Sequence, residues 1–301
     1  MSYEYLVHRN LSKKQVIDRY EAFTFPSFLQ KSKVRQLQEP FFVVEVMYEK
    51  ERIGLAVLEL LPKNSLLKVL SLYVKEEYRK RGVATQILKI AERVAINNQL
   101  AILNIIFQNN WESFKIMPKL LKNLGWNEPE KRMILVKLSY QQIADAKWFK
   151  VEEYPPNLSV HRWVDLSEQD YEYIRRRKKE ENWFEDDLSP FQLANILVAT
   201  GSLVLKNENG AVVGWLIVHR AAPRTVQFTS YFIDENYRKT PATFNLLADS
   251  IQRMRQADEG DDAIFMFKAA NEKMMFFAKA IAGEHNKGAF TEVWVSHKKV
   301  L

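Results

Sequence analysis

Residues 3–9 alternate apolar and polar side chains, the period of a half-buried strand. Ser12 with Gln15 three positions later spells a capping box that starts a helix. A second helix is predicted over 27–39, and three strand-like runs follow at 41–48, 52–61 and 66–74. The short polar links between them, Glu49-Lys50-Glu51 and Pro62-Lys63-Asn64-Ser65, predict antiparallel hairpins. The period then lengthens. A helix from Val83 to about Asn98 leads to a strand at 101–107, a helix over 111–124 stopped by Gly125, and a strand at 132–138.

The same order recurs further along. A strand at 158–163 precedes helices near 168–180 and 190–199. Strands at 202–206 and 211–220 flank Asn207-Glu208-Asn209-Gly210, whose Asn-Gly is a tight-turn signal. Then come a strand near 225–233, a helix from Pro241, a strand at 263–268, a helix from Asn271 to Gly283 and a last strand at 289–297. Short matches fall in the same sequence: Val7-His8-Arg9 with Val160-His161-Arg162, Ile53-Gly54 with Val213-Gly214, Tyr78-Arg79-Lys80 with Tyr237-Arg238-Lys239, and Asn110 with Asn271. Their offsets, 153, 160, 159 and 161 in chain order, creep upward as accumulated loop insertions would make them. The pattern predicts two copies of one α/β fold, each a mostly antiparallel mixed sheet flanked by helices. Pro155-Pro156 can continue neither a helix nor a ladder, which places the boundary between Ser139 and Asn157 and gives domains of 1–145 and 146–301.

Composition narrows the chemistry. The 301 residues, 47% hydrophobic and 27% charged, suffice for two cores of an ordinary globular kind. The absence of cysteine excludes disulfides, thiolate zinc sites and a cysteine nucleophile. His8, His161, His219, His285 and His297 are scattered without ligand spacing, so no metal is expected. No apolar run reaches the length of a membrane span, and the first residues lack the regions of a secretory signal; a cytoplasmic protein without membrane association is expected. A net charge of +7 suits nucleic acid, a membrane surface or a small anionic ligand. The densest basic run, 175–179, is followed at once by Glu180, Glu181, Glu185, Asp186 and Asp187 and lacks interleaved aromatics. It reads as a solvated helical face, which argues against nucleic acid.

One segment carries chemistry. Residues 70–89, LSLYVKEEYRKRGVATQILK, place a charged turn between an apolar strand ending at Val74 and a helix beginning near Val83. Gly82 permits a positive φ and Ala84 a close approach, so the N–H groups of a helix start can face an anion. Arg79, Lys80 and Arg81 add charge that suits a phosphorylated ligand, and Thr85 offers a hydroxyl in the first turn. The ordinary alternative is a basic helix N-terminus with Gly82 as a turn residue.

Arg79-x-x-Gly82-x-Ala84 between a strand and a helix resembles the signature of the GCN5-related N-acetyltransferase (GNAT) family, [Arg/Gln]-x-x-Gly-x-[Gly/Ala]. The element order of both halves is similar to that family, in a tandem arrangement. The resemblance implies that Leu72, Tyr73 and Val74 offer backbone groups to the pantetheine arm of acetyl-CoA. It further implies that Arg79, Lys80, Arg81, Gly82, Val83, Ala84 and Thr85 hold the pyrophosphate. The implied reaction is acetyl transfer to an amine acceptor by direct attack on the thioester, with acetyl-CoA as co-substrate, no covalent intermediate and no metal.

Two departures stand out. The family often carries a tyrosine four residues before the glycine that closes the helix after the fifth strand, where it protonates the leaving thiolate. That position here is Leu121, which leaves Tyr73 as a candidate acid by proximity. Asn110, a candidate cofactor contact, stands fifteen residues before Gly125, about a turn further than the family spacing. Glu59 is the preferred candidate base over Glu45 because it lies near the end of its strand; both read equally as solvent-facing strand carboxylates. In the second copy Pro241 replaces Gly82 and Thr243 replaces Ala84, which removes an N–H and the positive φ. One competent and one degenerate half are expected, with a homodimer left open. The rival readings are a non-catalytic CoA-binding or scaffold protein and a basic nucleic-acid-binding module.

Overall fold

Alternation at two-residue spacing sends successive side chains of a strand to opposite faces, and in β2 (Phe41–Tyr48) both faces are apolar. Phe42, Val44 and Val46 pack toward one core while Phe41 and Val43 pack toward another, so the strand is buried on both sides. The computed structural model of the protein describes residues 2–24, 39–146, 149, 153–238, 240, 242–283 and 286–301. All but the last residue of the helix predicted over 27–39 lies outside them. The chain divides into two units: Met1–Met133 with Thr291–Leu301, and Ile134–Phe290.

In unit 1, β1 (Glu4–Leu11), β2, β3 (Glu51–Leu61) and β4 (Leu66–Val74) form the predicted antiparallel meander. The helix α1 (Lys13–Tyr20) begins at the predicted capping box, with the Gln15 N–H on Ser12 Oγ at 3.2 Å and the Ser12 N–H on Gln15 Oε1 at 2.8 Å. The helix α2 (Val83–Asn97) then leads to β5 (Ile102–Gln108), which lies parallel to β4. Val83, Ile87, Ala91 and Val94 of α2 are buried, and the helix comes close enough to β3 that a Cβ at Gly54 would stand 3.3 Å from Val83 Cγ1. The helix predicted over 111–124 is broken. A 3₁₀ turn at Glu112–Lys115 precedes α3 (Met117–Asn123), where Pro118 fits the first turn but has no N–H with which to continue an earlier one. Gly125, at φ 72°, ends it as predicted. The sixth strand of this sheet is the chain's last, β12 (Phe290–Lys299), antiparallel to β5 from Val293 opposite Gln108 to Lys299 opposite Ile102.

Unit 2 repeats the arrangement. The strands β6 (Glu130–Ser139), β7 (Leu158–Arg162), β8 (Leu203–Asn207), β9 (Val212–Ala222), β10 (Thr225–Ile233) and β11 (Asp262–Lys268) lie in the order β7-β8-β9-β10-β11-β6. Only the first residues of β6 belong to unit 1. Neighbours from β7 to β10 are antiparallel, and β10 and β11 are parallel. The helices are α4 (Tyr140–Ala144), α5 (Glu168–Glu181), α6 (Ala242–Gln256), α7 (Glu272–Ala282) and the short α8 (Asn286–Ala289). Residues 190–199 hold the 3₁₀ turn Ala194–Ile196 in place of the predicted helix; Leu193, at φ 53°, turns the backbone left-handed there. A division of the chain at 145/146 assigns β6 and β12 by position in sequence, whereas pairing sets β12 beside β5 and β6 beside β11.

Candidate functional site

The geometry at the motif starts with one extra residue in β4. Ser71 stands opposite Val57 and Val69 opposite Leu58, so Leu70 has no cross-strand partner and bulges. A bulge raises local twist and ends pairing on the far side. The parallel register with β5 stops at Val69 opposite Ile105. From Leu70 to Val74 the strand keeps β3 on one side and, among the described residues, has no paired strand on the other. The backbone of Leu72, Tyr73 and Val74, the segment expected to offer groups to a pantetheine arm, thus borders an opening between β4 and β5.

The turn that follows is anchored to the strand it leaves. Lys75 N–H donates to Ile53 O at 2.9 Å, Lys75 pairs with Glu51, and the Tyr78 hydroxyl donates to Glu51 Oε2 at 3.2 Å. Arg79 Nε donates to the Val74 carbonyl at 3.1 Å, and its guanidinium stands 4.0 Å from Glu112. This arginine, expected to face an anion, is therefore also a fastener between turn and strand. Lys80 (φ 60°) and Gly82 (φ 81°) both take the left-handed conformation, and Arg81 lies over the Tyr78 ring at 5.6 Å. Gly82 is the N-cap residue of α2 and supplies no side chain, and no acid sits in the first turn. By contrast α1, α4 and α5 each start on a serine capping box. The N–H groups of Val83, Ala84 and Thr85 thus begin a fifteen-residue helix with no side-chain cap, on the positive end of its dipole.

On the face of the sheet that carries α1, cross-strand partners form three rows: Glu45, Leu55 and Tyr73; Val43, Val57 and Ser71; Phe41, Glu59 and Lys68. Glu59 and Tyr73 therefore share a face but stand two rows apart, roughly 13 Å along the strands. Neither strand carboxylate faces solvent. Glu59 is 5% exposed and Glu45 is 6% exposed. Glu45 accepts from Arg52 Nε at 2.5 Å and pairs with His8 Nε2 at 2.7 Å. Burial alone raises the Glu45 carboxyl, but the hydrogen bonds from Arg52 and His8 outweigh it and hold the group below the usual carboxylate range. A carboxylate so engaged is a structural acid. The Arg52 guanidinium also lies over the Tyr20 and Phe23 rings at 4.8 and 5.1 Å, while Tyr73 meets Phe23 edge-on at 5.8 Å.

Two further residues resolve simply. Leu121 is fully buried among the residues that pack on α2. Asn110 Nδ2 donates to Thr291 Oγ1 at 3.4 Å, which ties the end of β5 to β12. Sequence reasoning missed the bulge at Leu70, the left-handed backbone of Lys80, the position of Ser71 and the His8–Glu45–Arg52 cluster. The one available signal was a lone acid inside each of two otherwise apolar runs.

Unit 2 keeps the frame and changes the chemistry. Thr229 bulges where Leu70 does, and the register with β11 stops at Phe228 opposite Phe265. Arg238 Nε donates to the Ile233 carbonyl at 2.7 Å, the counterpart of Arg79 on Val74. Register sets Phe232 in the place of Tyr73 and His219 in the place of Glu59. The Tyr231 hydroxyl donates to the Thr243 carbonyl in the first turns of α6. Lys239 and Pro241 lie outside the described residues. A cavity of about 710 Å³ opens beside α5, lined by Tyr173, Arg177, Glu181, Asn207, Asp234 and Tyr237. Its Arg177 is already neutralised by Glu181 and Asp234 at 2.5 and 3.2 Å, so it makes a poorer anion site than the uncapped turn of unit 1. Among the described residues no helix is long and apolar enough to cross a membrane.

Residues 9–112, which span this turn and the strands around it, match the Acetyltransferase (GNAT) family. None of the curated proteins matches the sequence. Among solved structures, a tandem GNAT protein from the clavulanic acid biosynthesis pathway is 13% identical, with a TM-score of 0.68, 100% of this chain covered and 99% of that one. A GCN5-related N-acetyltransferase from Sphaerobacter thermophilus is 15% identical, with a TM-score of 0.63 and coverages of 98% and 96%. Identities this low speak for the fold, and the fold is shared along the whole chain. Motif, splayed strand and shared fold agree: residues 9–112 carry the match to the GNAT family, and the chain has the fold of a tandem GNAT protein.

Proposed function

We propose that unit 1 is an acetyl-CoA-dependent N-acyltransferase that acetylates an amine. The match of residues 9–112 to the GNAT family supports an acyl-CoA N-acyltransferase activity. The observation that carries the finer reading is the uncapped start of α2, placed by two left-handed residues at the end of a strand that has parted from its neighbour. The pyrophosphate would lie on the N–H groups from Gly82 to Thr85, flanked by Arg79, Lys80 and Arg81. The pantetheine arm would run back along Leu72, Tyr73 and Val74. The acceptor's lone pair attacks the thioester carbonyl carbon, the C–S bond breaks, and the thiolate leaves with a proton. Glu59 is our candidate for taking the proton from the attacking amine and Tyr73 for supplying the one that leaves with sulfur. Asn110, whose Nδ2 donates to Thr291, stays a candidate contact of the cofactor.

The same reading gives one coenzyme A per chain, in unit 1. Charge survives in both copies, but exposed charge is screened, and directed N–H groups supply the geometry. Calorimetric titration with acetyl-CoA should return a stoichiometry of one, weakened by Arg79→Ala and not by Arg238→Ala. Two equivalent sites, or equal losses in both variants, would overturn the assignment. Release of free thiol in the presence of a panel of amines separates an enzyme from a CoA-binding scaffold.

A further inference from the structure

We propose that the Ser71 hydroxyl is a substrate-binding group that donates a hydrogen bond to the acyl carbonyl of the thioester. The inference rests on the reading of unit 1 as a CoA site and assigns the residue that meets the acyl end. Ser71 is 2% exposed, and its Oγ has no hydrogen-bond partner among the described residues. A buried hydroxyl without a partner loses its bonds to water and gains nothing in return, so such groups are rare and concentrate where a ligand completes them.

Its location says which ligand atom. Ser71 follows the bulge at Leu70, where the opening between β4 and β5 closes at Val69 and Ile105. A ligand anchored by its phosphates at Gly82 and lying along β4 has its far end at that vertex, since Val74 to Ser71 spans about 10 Å of strand. For an acyl thioester the polar atom at that end is the carbonyl oxygen, an acceptor, and a serine hydroxyl is a donor. The bond tightens as the amine attacks and negative charge gathers on that oxygen.

The second unit supplies the contrast. Ser230 occupies the same position after the same bulge, opposite Ile217 as Ser71 is opposite Val57. There the hydroxyl is used up: it accepts from Trp215 Nε1 at 2.8 Å and donates to the Leu188 carbonyl at 2.6 Å. In unit 1 Leu55 stands where Trp215 does and has nothing to donate. One copy has closed its serine into the fold, and the other has left it open.

The test compares acetyl-CoA with CoA, which differ only in the acyl group, on wild type, Ser71→Ala and Ser230→Ala by calorimetry, with thermal melts of each free protein. Ser71→Ala should lose about threefold to tenfold in affinity for acetyl-CoA relative to CoA, while the free protein melts at the wild-type temperature or above. Ser230→Ala should melt lower and keep the wild-type affinity ratio. An unchanged ratio in Ser71→Ala would overturn the inference, as would equal losses for both ligands or a lowered melting temperature of the free variant. Wild type that binds neither ligand would overturn the CoA reading itself, and this inference with it; wild type that binds both, with an indifferent Ser71→Ala, overturns the serine alone.

Discussion

Gly82 and Gly125 make a matched pair for testing the anion site. Both take the left-handed conformation, at φ 81° and 72°, and a Cβ built on either meets nothing within 4 Å. Alanine at either position therefore brings backbone strain without a clash, about 1–2 kcal/mol for an L-residue held left-handed. Gly125 ends α3, and its strain should appear only as lost stability. At Gly82 the same strain is set against the conformation that aims the N–H groups of α2, so binding to that conformation should weaken by a similar free energy, roughly fivefold to thirtyfold in Kd. Gly82→Pro, whose φ is fixed near −65°, should abolish binding in a protein that still folds. Thermal melts and calorimetric titration with CoA on each variant give both quantities. If Gly82→Ala binds as wild type does, or the two alanine variants lose affinity equally, the turn is not the phosphate site.

Leu121→Ala should cost about 2–5 kcal/mol in denaturant unfolding while the chemical step with a good substrate stays as it was, because leucine has no proton to give. Glu59→Gln should lower turnover most at acid pH, where the acceptor amine most needs a base; a pH–rate profile matching wild type would remove Glu59 from the reaction. Glu45 has a carboxyl pKa lower in the folded than in the unfolded chain, so its stabilising contribution is present above the ordinary carboxylate pKa and vanishes as pH falls through the folded value. Melting temperatures from pH 7 down to 3 should therefore fall more steeply for wild type than for Glu45→Gln, and parallel curves would refute the pairing with Arg52 and His8.

Much of this architecture was legible because its signals are local. The bounds of β2 and β4, the capping box at Ser12 and the stop at Gly125 each depend on a few neighbouring residues, and each stands where the pattern placed it. The motif turn was legible for the same reason, since strand, glycine and helix adjoin. What escaped depends on distance. Glu45 looks solvent-facing until Arg52 and His8, the latter thirty-seven positions away, arrive beside it. The bulge at Leu70 has no residue signature, because it is a relation between two strands. The helix over 190–199 had the right composition and lost to a left-handed Leu193, a tertiary choice that propensity does not register.

The strand that closes unit 1 also sets a schedule for synthesis. β5 is complete at Gln108, yet the strand that pairs with it begins pairing at Val293. At roughly 5–20 residues per second, about 10–40 s separate the two on the ribosome. Throughout that interval β5 is an open edge of a nascent sheet, and one wall of the opening beside β4 lacks its outer support. The first unit to be translated is thus the last to be finished. A chain released short of residue 291 would carry the whole signature turn and still present an unpaired apolar strand to its neighbours, so loss of the last eleven residues should surface as aggregation in the test tube and as degradation in the cell.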